Sequence, residues 1–78
     1  MVNLKETLTD IAKAIVDSPD EVQVTEVETD HEITFTLTVA PDDMGMVIGR
    51  HGKIAKAIRT VIKAAASSSS KRVNVDIR

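Results

Sequence analysis

The chain of 78 residues is predicted to adopt an α+β fold as one domain over residues 1–78, with the element order α-β-β-α-α-β. Two observations predict this class. Two longer segments place apolar residues at the three- and four-residue spacing of an amphipathic helix, and three shorter segments alternate apolar and polar residues as half-buried strands do. A chain of this length buries one small core at most.

The first helix is predicted over residues 3–17. Asn3 is a suitable N-cap, and Pro19 ends the helix because the residue before a proline is pushed out of the helical region. The apolar stripe of this helix consists of Leu4, Leu8, Ile11, Ala12, Ile15 and Val16.

Two strands follow, joined by the polar segment ETDHE at 28–32, which is typical of a hairpin connection. In the first strand Val22 and Val24 alternate with polar residues. Val27 is out of phase with this alternation, which predicts a bulge or an early strand end. The second strand, ITFTLTVA at 33–40, alternates apolar residues with three threonines and is the clearest strand of the chain.

The second half begins with a short helix from about Pro41 to Ile48, where Asp42 and Asp43 suit a first helical turn. A longer helix is predicted from Lys53 to about Ala66, followed by a frayed end and loop at SSSS, 67–70. The segment KRVNVDIR at 71–78 alternates valine and isoleucine with polar residues and predicts the last strand.

The longer helix separates two kinds of side chain when it is plotted at about 100° per residue. The predicted core stripe contains Ile54, Ile58, Val61 and Ala65, with Ile62 on its flank. The opposite side carries Lys56, Arg59 and Lys63, with Lys53 at its edge and no acidic residue among them. A solvated face is the plainer explanation of such a run, but the run continues into Arg50 of the preceding loop, which favours a binding function.

That loop, GRHG at 49–52, joins the two helices. A helix N-terminus offers unpaired N–H groups and a positive dipole end, which suit phosphate. Glycines at both ends of the turn allow left-handed backbone angles and the close approach of a polyanion backbone. Val47 and Ile54 stand where a Walker A loop needs glycine and Ser or Thr, and no G-x-G-x-x-G occurs, so neither nucleotide-binding motif is present.

Charge is divided unevenly along the chain. Residues 1–43 contain two basic and eleven acidic residues, a balance of −9, whereas residues 44–78 contain eight basic residues and one acid, Asp76, a balance of +7. This division predicts a basic surface for a polyanion or complementary surfaces for a protein partner. The absence of cysteine excludes disulfides, and no secretory leader or membrane span is recognised, so we expect a cytoplasmic protein.

The segment VIGRHGKIAKAIR at 47–59 resembles the I-G-x-x-G-x-x-I signature of the K-homology (KH) RNA-binding domain, and the element order is similar to the type II, prokaryotic arrangement. The resemblance covers essentially the whole chain, and the length is similar to that of small single-KH bacterial proteins. It implies a three-stranded mixed sheet covered on one face by three helices.

The resemblance also implies a binding site for single-stranded RNA. The loop would clamp the backbone of about four nucleotides, and bases would lie in an adjacent apolar groove. The implied backbone-binding residues are Gly49, Arg50, His51, Gly52, Lys53 and Lys56. The implied groove residues are Ile48, Ile54, Leu37 and Val39, and Arg59 and Lys63 would form an additional basic face. Phe35 is the only aromatic residue, in agreement with bases held by groove shape rather than by stacking.

The resemblance implies a post-transcriptional regulator or RNA chaperone without cofactor or metal. Met46 stands where related domains often have a basic residue, and His51 stands where they often have Lys or Gln. We therefore expect weak affinity for RNA. An enzyme is disfavoured because His31 and His51 lie in unrelated elements and no catalytic grouping can be assembled. The main alternative is a protein-interaction module, since KH proteins of this size resemble ones that form homodimers or heterodimers with a second KH protein.

Overall fold

A computed structural model describes residues 3–67 and 69–78 of the chain. The elements are helix α1 (Leu4–Ile15), strands β1 (Gln23–Glu28) and β2 (Glu32–Thr38), helices α2 (Met44–Ile48) and α3 (Lys53–Ala65), and strand β3 (Arg72–Ile77). Short 3-10 turns occupy Pro19–Glu21, Pro41–Asp43 and Arg50–Gly52. The predicted α+β class and element order are confirmed. In the described residues, no helix is long and apolar enough to cross a membrane.

Helix α1 begins at its predicted cap. The Asn3 side chain accepts a hydrogen bond from the Glu6 amide at 3.1 Å, which satisfies one of the free N–H groups of the first turn. The helix ends two residues earlier than predicted, because Val16 already has extended backbone angles. Leu8 and Ala12 are fully buried and the rest of the predicted stripe packs around them, so α1 supplies one side of the core.

The three strands form one mixed sheet with β2 in the centre. β1 pairs with β2 in antiparallel orientation and β3 pairs with β2 in parallel orientation. The inner face carries the buried side chains, and the outer face is polar because successive side chains of a strand point to opposite faces. The inner residues are Val24, Phe35, Leu37, Val73 and Val75. The outer residues are Thr25, Val27, Thr34, Thr36, Asn74 and Asp76.

Strand β1 has no bulge, so the expectation drawn from Val27 is wrong. The pairing with β2 continues without interruption as far as Glu28 opposite Ile33. Val27 lies opposite Thr34 on the outer face and is 62% exposed. The out-of-phase apolar residue is therefore a surface valine, and the hairpin closes beyond it through a hydrogen bond from the Thr29 amide to the Glu32 carbonyl at 2.8 Å.

Asp43 lies in the first turn before α2, as predicted, but its carboxylate does not cap that helix. It is 2% exposed and accepts hydrogen bonds from the backbone amides of Asp17 at 3.3 Å and Ser18 at 3.0 Å. Asp42, next to it, is exposed. Since a buried carboxylate requires such partners, Asp43 ties the entry of α2 to the segment that follows α1.

Three rows of side chains run along α3, each with spacings of three or four residues. The buried row is Ala55, Ile58, Ile62 and Ala66. The predicted core stripe is therefore partly wrong. Ile58 and Ile62 are buried, but Ile54 and Val61 are 39% and 48% exposed, and Ala65 is exposed as well. The apolar arc of α3 is wider than its contact with the core, and packing against the sheet selects only one of its rows.

Three residues lie outside the described part of the chain. The N-terminal residues Met1 and Val2 belong to the segment inspected for a leader, and Ser68 belongs to the predicted frayed end. Before Ser68, Ala66 and Ser67 lie in a turn at the end of α3, and the Ser69 amide donates to the carbonyl of Ala66 at 2.8 Å.

Candidate nucleic-acid interface

The loop between α2 and α3 has left-handed backbone angles at three positions. Gly49 has φ 74° and ψ 174°, and Gly52 has φ 74° and ψ 14°. These values confirm the predicted positive φ at both glycines. The sequence did not predict the third position, His51, which has φ 59° and is the one non-glycine residue in the described chain with a positive φ.

The two glycines differ in their surroundings. A β-carbon on Gly49 would lie 2.2 Å from Cγ1 of Ile54, so the Ile54 side chain occupies the space beside this α-carbon. A β-carbon on Gly52 would meet no atom within 4 Å. Of the two, therefore, only Gly52 presents an open face to a ligand, whereas Gly49 is required by the packing of α3 against the loop.

The loop also presents unpaired donors. The Gly52 amide donates to the Gly49 carbonyl at 3.2 Å, while no backbone hydrogen bond within the described chain uses the amides of Arg50 and His51. Helix α3 starts directly after Gly52 without a side-chain cap, so its first amides and its positive dipole end face the loop. Arg50, His51 and Lys53 are exposed around these amides. The arrangement has the geometry and the charge of an anion site.

The exposed basic strip, defined as Lys56, Arg59 and Lys63, continues from the loop along α3. Arg59 lies next to the sheet, because its Nε donates a hydrogen bond to the carbonyl of Val75 in β3 at 3.1 Å. The sequence predicted the strip but not the strand beside it. That strand is β3, at the edge of the sheet.

The four residues expected to line a base groove separate into two groups. Ile48 and Ile54 are 38% and 39% exposed and lie next to Gly49, and Met46 is exposed nearby at 39%. Leu37 has no exposed surface and Val39 is 5% exposed. We therefore correct the expectation for Leu37 and Val39: both are core residues, because the inner face of β2 is covered by helices, and neither is open to a base.

The chain is similar to known proteins over nearly its whole length. The family model for the KhpA/KhpB KH domain matches residues 5–77. The RNA-binding protein KhpA of Clostridium acetobutylicum is 61% identical over 74 residues, covering 95% of this chain and 99% of that protein. The protein of the same name from Caldanaerobacter subterraneus is 57% identical, covering 86% and 89%, and that from Listeria monocytogenes is 43% identical, covering 95% and 97%. The chain belongs to the KhpA/KhpB family of KH domains.

Proposed function

We propose that this chain binds single-stranded RNA and clamps the backbone of about four nucleotides with the loop of Gly49, Arg50, His51 and Gly52. One observation carries the proposal. The loop combines an open glycine, two unpaired amides and a helix N-terminus with the exposed cations Arg50 and Lys53. Such a group of donors suits phosphate, and Lys56 of the basic strip extends it.

The comparisons support the same class of ligand. The relatives described above are named RNA-binding proteins. The family is non-enzymatic, in agreement with the expectation that the chain is not an enzyme.

Bases would contact the exposed apolar surface beside the loop, formed by Ile48 and Ile54. The only aromatic side chain, Phe35, is 2% exposed and faces the core. Stacking on an exposed ring is therefore unavailable to this chain. We expect the bases to be held by the shape of the surface and by hydrogen bonds to backbone groups, with weak preference between them.

The test is the double substitution Arg50→Asp and His51→Asp, which places two negative charges in the clamp. Aspartate tolerates the left-handed angles of position 51, so the loop is expected to keep its conformation. We expect at least a tenfold loss of affinity for a short single-stranded RNA, measured by fluorescence anisotropy at fixed salt, with an unchanged circular dichroism spectrum.

A matched control is Lys5→Asp with His31→Asp, which makes an equivalent change of charge at exposed positions on α1 and in the hairpin. The control should bind RNA nearly as well as the natural chain. Equal affinity of the folded clamp variant and the natural chain would refute the clamp.

The second candidate function is association with another KH protein, either a second copy of this chain or a KhpB-type partner. The exposed apolar patch on α3, defined as Ala57, Val61 and Ala65, favours it. The patch forms the row next to the core row, on the side away from the basic strip, so pairing there leaves the strip open. Pairing would add avidity to a module that holds few nucleotides.

In the cell we propose that the chain acts in the cytoplasm as a post-transcriptional regulator or RNA chaperone. Sequencing of the RNAs crosslinked to the protein in cells tests this role. Recovery of mRNAs and regulatory RNAs would support it, and recovery of no RNA above background would contradict it.

A further inference from the structure

A shallow pocket of about 350 Å³ opens at the free edge of the sheet, away from the clamp. Its lining residues are Thr34, Arg59, Lys63, Asn74, Val75 and Asp76. Thr34 and Asn74 are opposite each other in the pairing of β2 with β3, and both lie on the outer face, which the helices leave open. The pocket therefore joins the outer face of the sheet to the far part of the basic strip.

Arg59 connects these two surfaces. The amides of Arg72 and Arg78 donate to carbonyls on the β2 side, at His31 and Leu37, so alternate residues such as Val75 direct their backbone groups toward the free edge. Arg59 Nε binds the Val75 carbonyl there at 3.1 Å. No hydrogen bond or ion pair among the described residues uses the two terminal nitrogens of Arg59. The guanidinium group is therefore held in place through Nε, while its terminal nitrogens are free to bind a ligand.

The charges of the pocket indicate a base rather than a phosphate. Asp76 is the only acid in residues 44–78, and it lies beside two cations of the strip. A surface for phosphate alone would be weakened by this carboxylate. Its ion pair with Arg78 is long, 3.8 Å, and both side chains are more than half exposed, so Asp76 is open to another partner.

A guanidinium donor together with carboxylate and amide acceptors around one pocket matches the hydrogen-bonding groups of guanine, which lie on two different edges of the base. Guanine presents the acceptors O6 and N7 together with the N2 amino donor, and arginine is the commonest partner of O6 and N7. In single-stranded RNA these edges are open to side chains. Uracil lacks an amino donor for the carboxylate.

We propose that this pocket binds a guanine base of an RNA strand that runs from the clamp along the basic strip. Arg59 donates to O6 and N7, and Asp76 accepts from the amino group. Asn74 and Thr34 supply further hydrogen-bonding groups, and Lys63 holds the neighbouring phosphate. The proposal rests on the proposed RNA binding and adds to it a base-specific subsite. Arg59 lies roughly 10 Å along α3 from Gly52, so the strand reaches this pocket after it leaves the loop.

The test compares a four-nucleotide uridine oligomer, an eight-nucleotide uridine oligomer and eight-nucleotide oligomers that contain one guanine at successive positions. We expect one guanine position to raise the affinity about tenfold over the uridine eight-mer. Asp76→Ala should remove this preference, because it deletes the acceptor of the amino group. By charge alone, the same substitution would tighten the binding of every RNA, so the two explanations predict opposite signs for the guanine oligomer.

Asp10→Asn is the matched control, since it removes one negative charge from an exposed position on α1. It should keep the guanine preference, and Arg59→Lys, which keeps the charge but loses the fork, should lose it. A natural chain without guanine preference, or an Asp76→Ala variant that retains it, would overturn the proposal while leaving the clamp intact.

A titration that does not depend on the clamp distinguishes failure of the guanine pocket from failure of the proposed RNA binding. In the Arg50→Asp, His51→Asp variant, guanosine 5′-monophosphate should shift the NMR signal of the Asn74 side-chain amide, and uridine 5′-monophosphate should not. Equal shifts with both nucleotides, or none with either, would contradict the guanine pocket. Loss of RNA binding by this variant would still support the clamp.

Discussion

At the scale of single residues, Gly49 and Gly52 share a φ of 74° but occupy different backbone regions. The ψ of 174° at Gly49 belongs to a region that is essentially restricted to glycine, whereas Gly52 is close to the ordinary left-handed region, which other residues reach at moderate cost. The first glycine thus serves the packing of α3, and the second gives access to the loop.

We predict that Gly49→Ala lowers the free energy of unfolding by about 3 kcal/mol, from backbone strain together with the overlap with Ile54. Gly52→Ala should lower the free energy of unfolding by about 1 kcal/mol, because the left-handed backbone angles are its only source of strain. Urea denaturation of both variants measures the difference. Equal losses would show that the Ile54 contact does not constrain position 49.

Asp43 and Asp42 show how neighbouring acids in one turn divide their roles. Asp42 is exposed, but the buried Asp43 carboxylate binds two amides some 25 residues earlier in the chain. Hydrogen bonds to a charged group contribute about 1.5–3 kcal/mol each. The link fixes the direction in which α2 enters, and through α2 it places the loop of the candidate site.

At the scale of elements, α3 carries three rows with three functions. The row of Ala55, Ile58, Ile62 and Ala66 packs in the core. The basic strip lies on one side of that row and the apolar patch on the other. A one-residue step around the helix is about 100°, so rows only one residue apart face different surroundings.

The apolar patch leads to a prediction about assembly. Val61→Glu places a charge in the patch at a position that is 48% exposed, so the monomer should keep its stability. We expect the variant to sediment as a monomer at concentrations where the natural chain associates, and to bind RNA with lower avidity. Thr60→Glu, at the next exposed position, is the control and should still associate. An unchanged sedimentation coefficient for Val61→Glu would contradict a role for the patch.

At the scale of the whole molecule, the charge balances of −9 and +7 fall on different parts of the fold. The acidic half supplies α1, β1 and β2, and the basic half supplies the loop, α3 and β3. The strip and the loop are thus gathered at one side of the sheet, where they attract a polyanion, while the acidic surface disfavours binding in other orientations.

This distribution predicts the salt dependence of RNA binding. Single-stranded RNA releases counterions with a slope of about −0.7 in log affinity against log salt for each neutralised phosphate. Three to four contacts by Arg50, Lys53, Lys56 and the loop amides give a slope of about −2 to −3 at most, since amides release no ions. Anisotropy titrations across a salt series measure it. A slope near zero would favour the interaction module over the clamp.

Features that depend only on neighbouring residues were predictable from the sequence. Alternation and helical spacing gave the elements and their order, the Asn3 cap was predicted correctly, and the two glycines marked positions of positive φ. Each of these is set by backbone sterics or by hydrogen bonds within a few residues, so the sequence contains the necessary information.

Which surfaces these elements share depends on the packing of the whole fold. In the fold, Leu37 and Val39 are buried, whereas Ile54 and Val61 are exposed. The Asp43 carboxylate binds the segment after α1, and β3 lies beside the basic strip. Periodicity shows that a helix has an apolar arc, but the direction of burial depends on contacts between residues far apart in the chain. Those contacts arise when the sheet, α1 and α3 pack around one core.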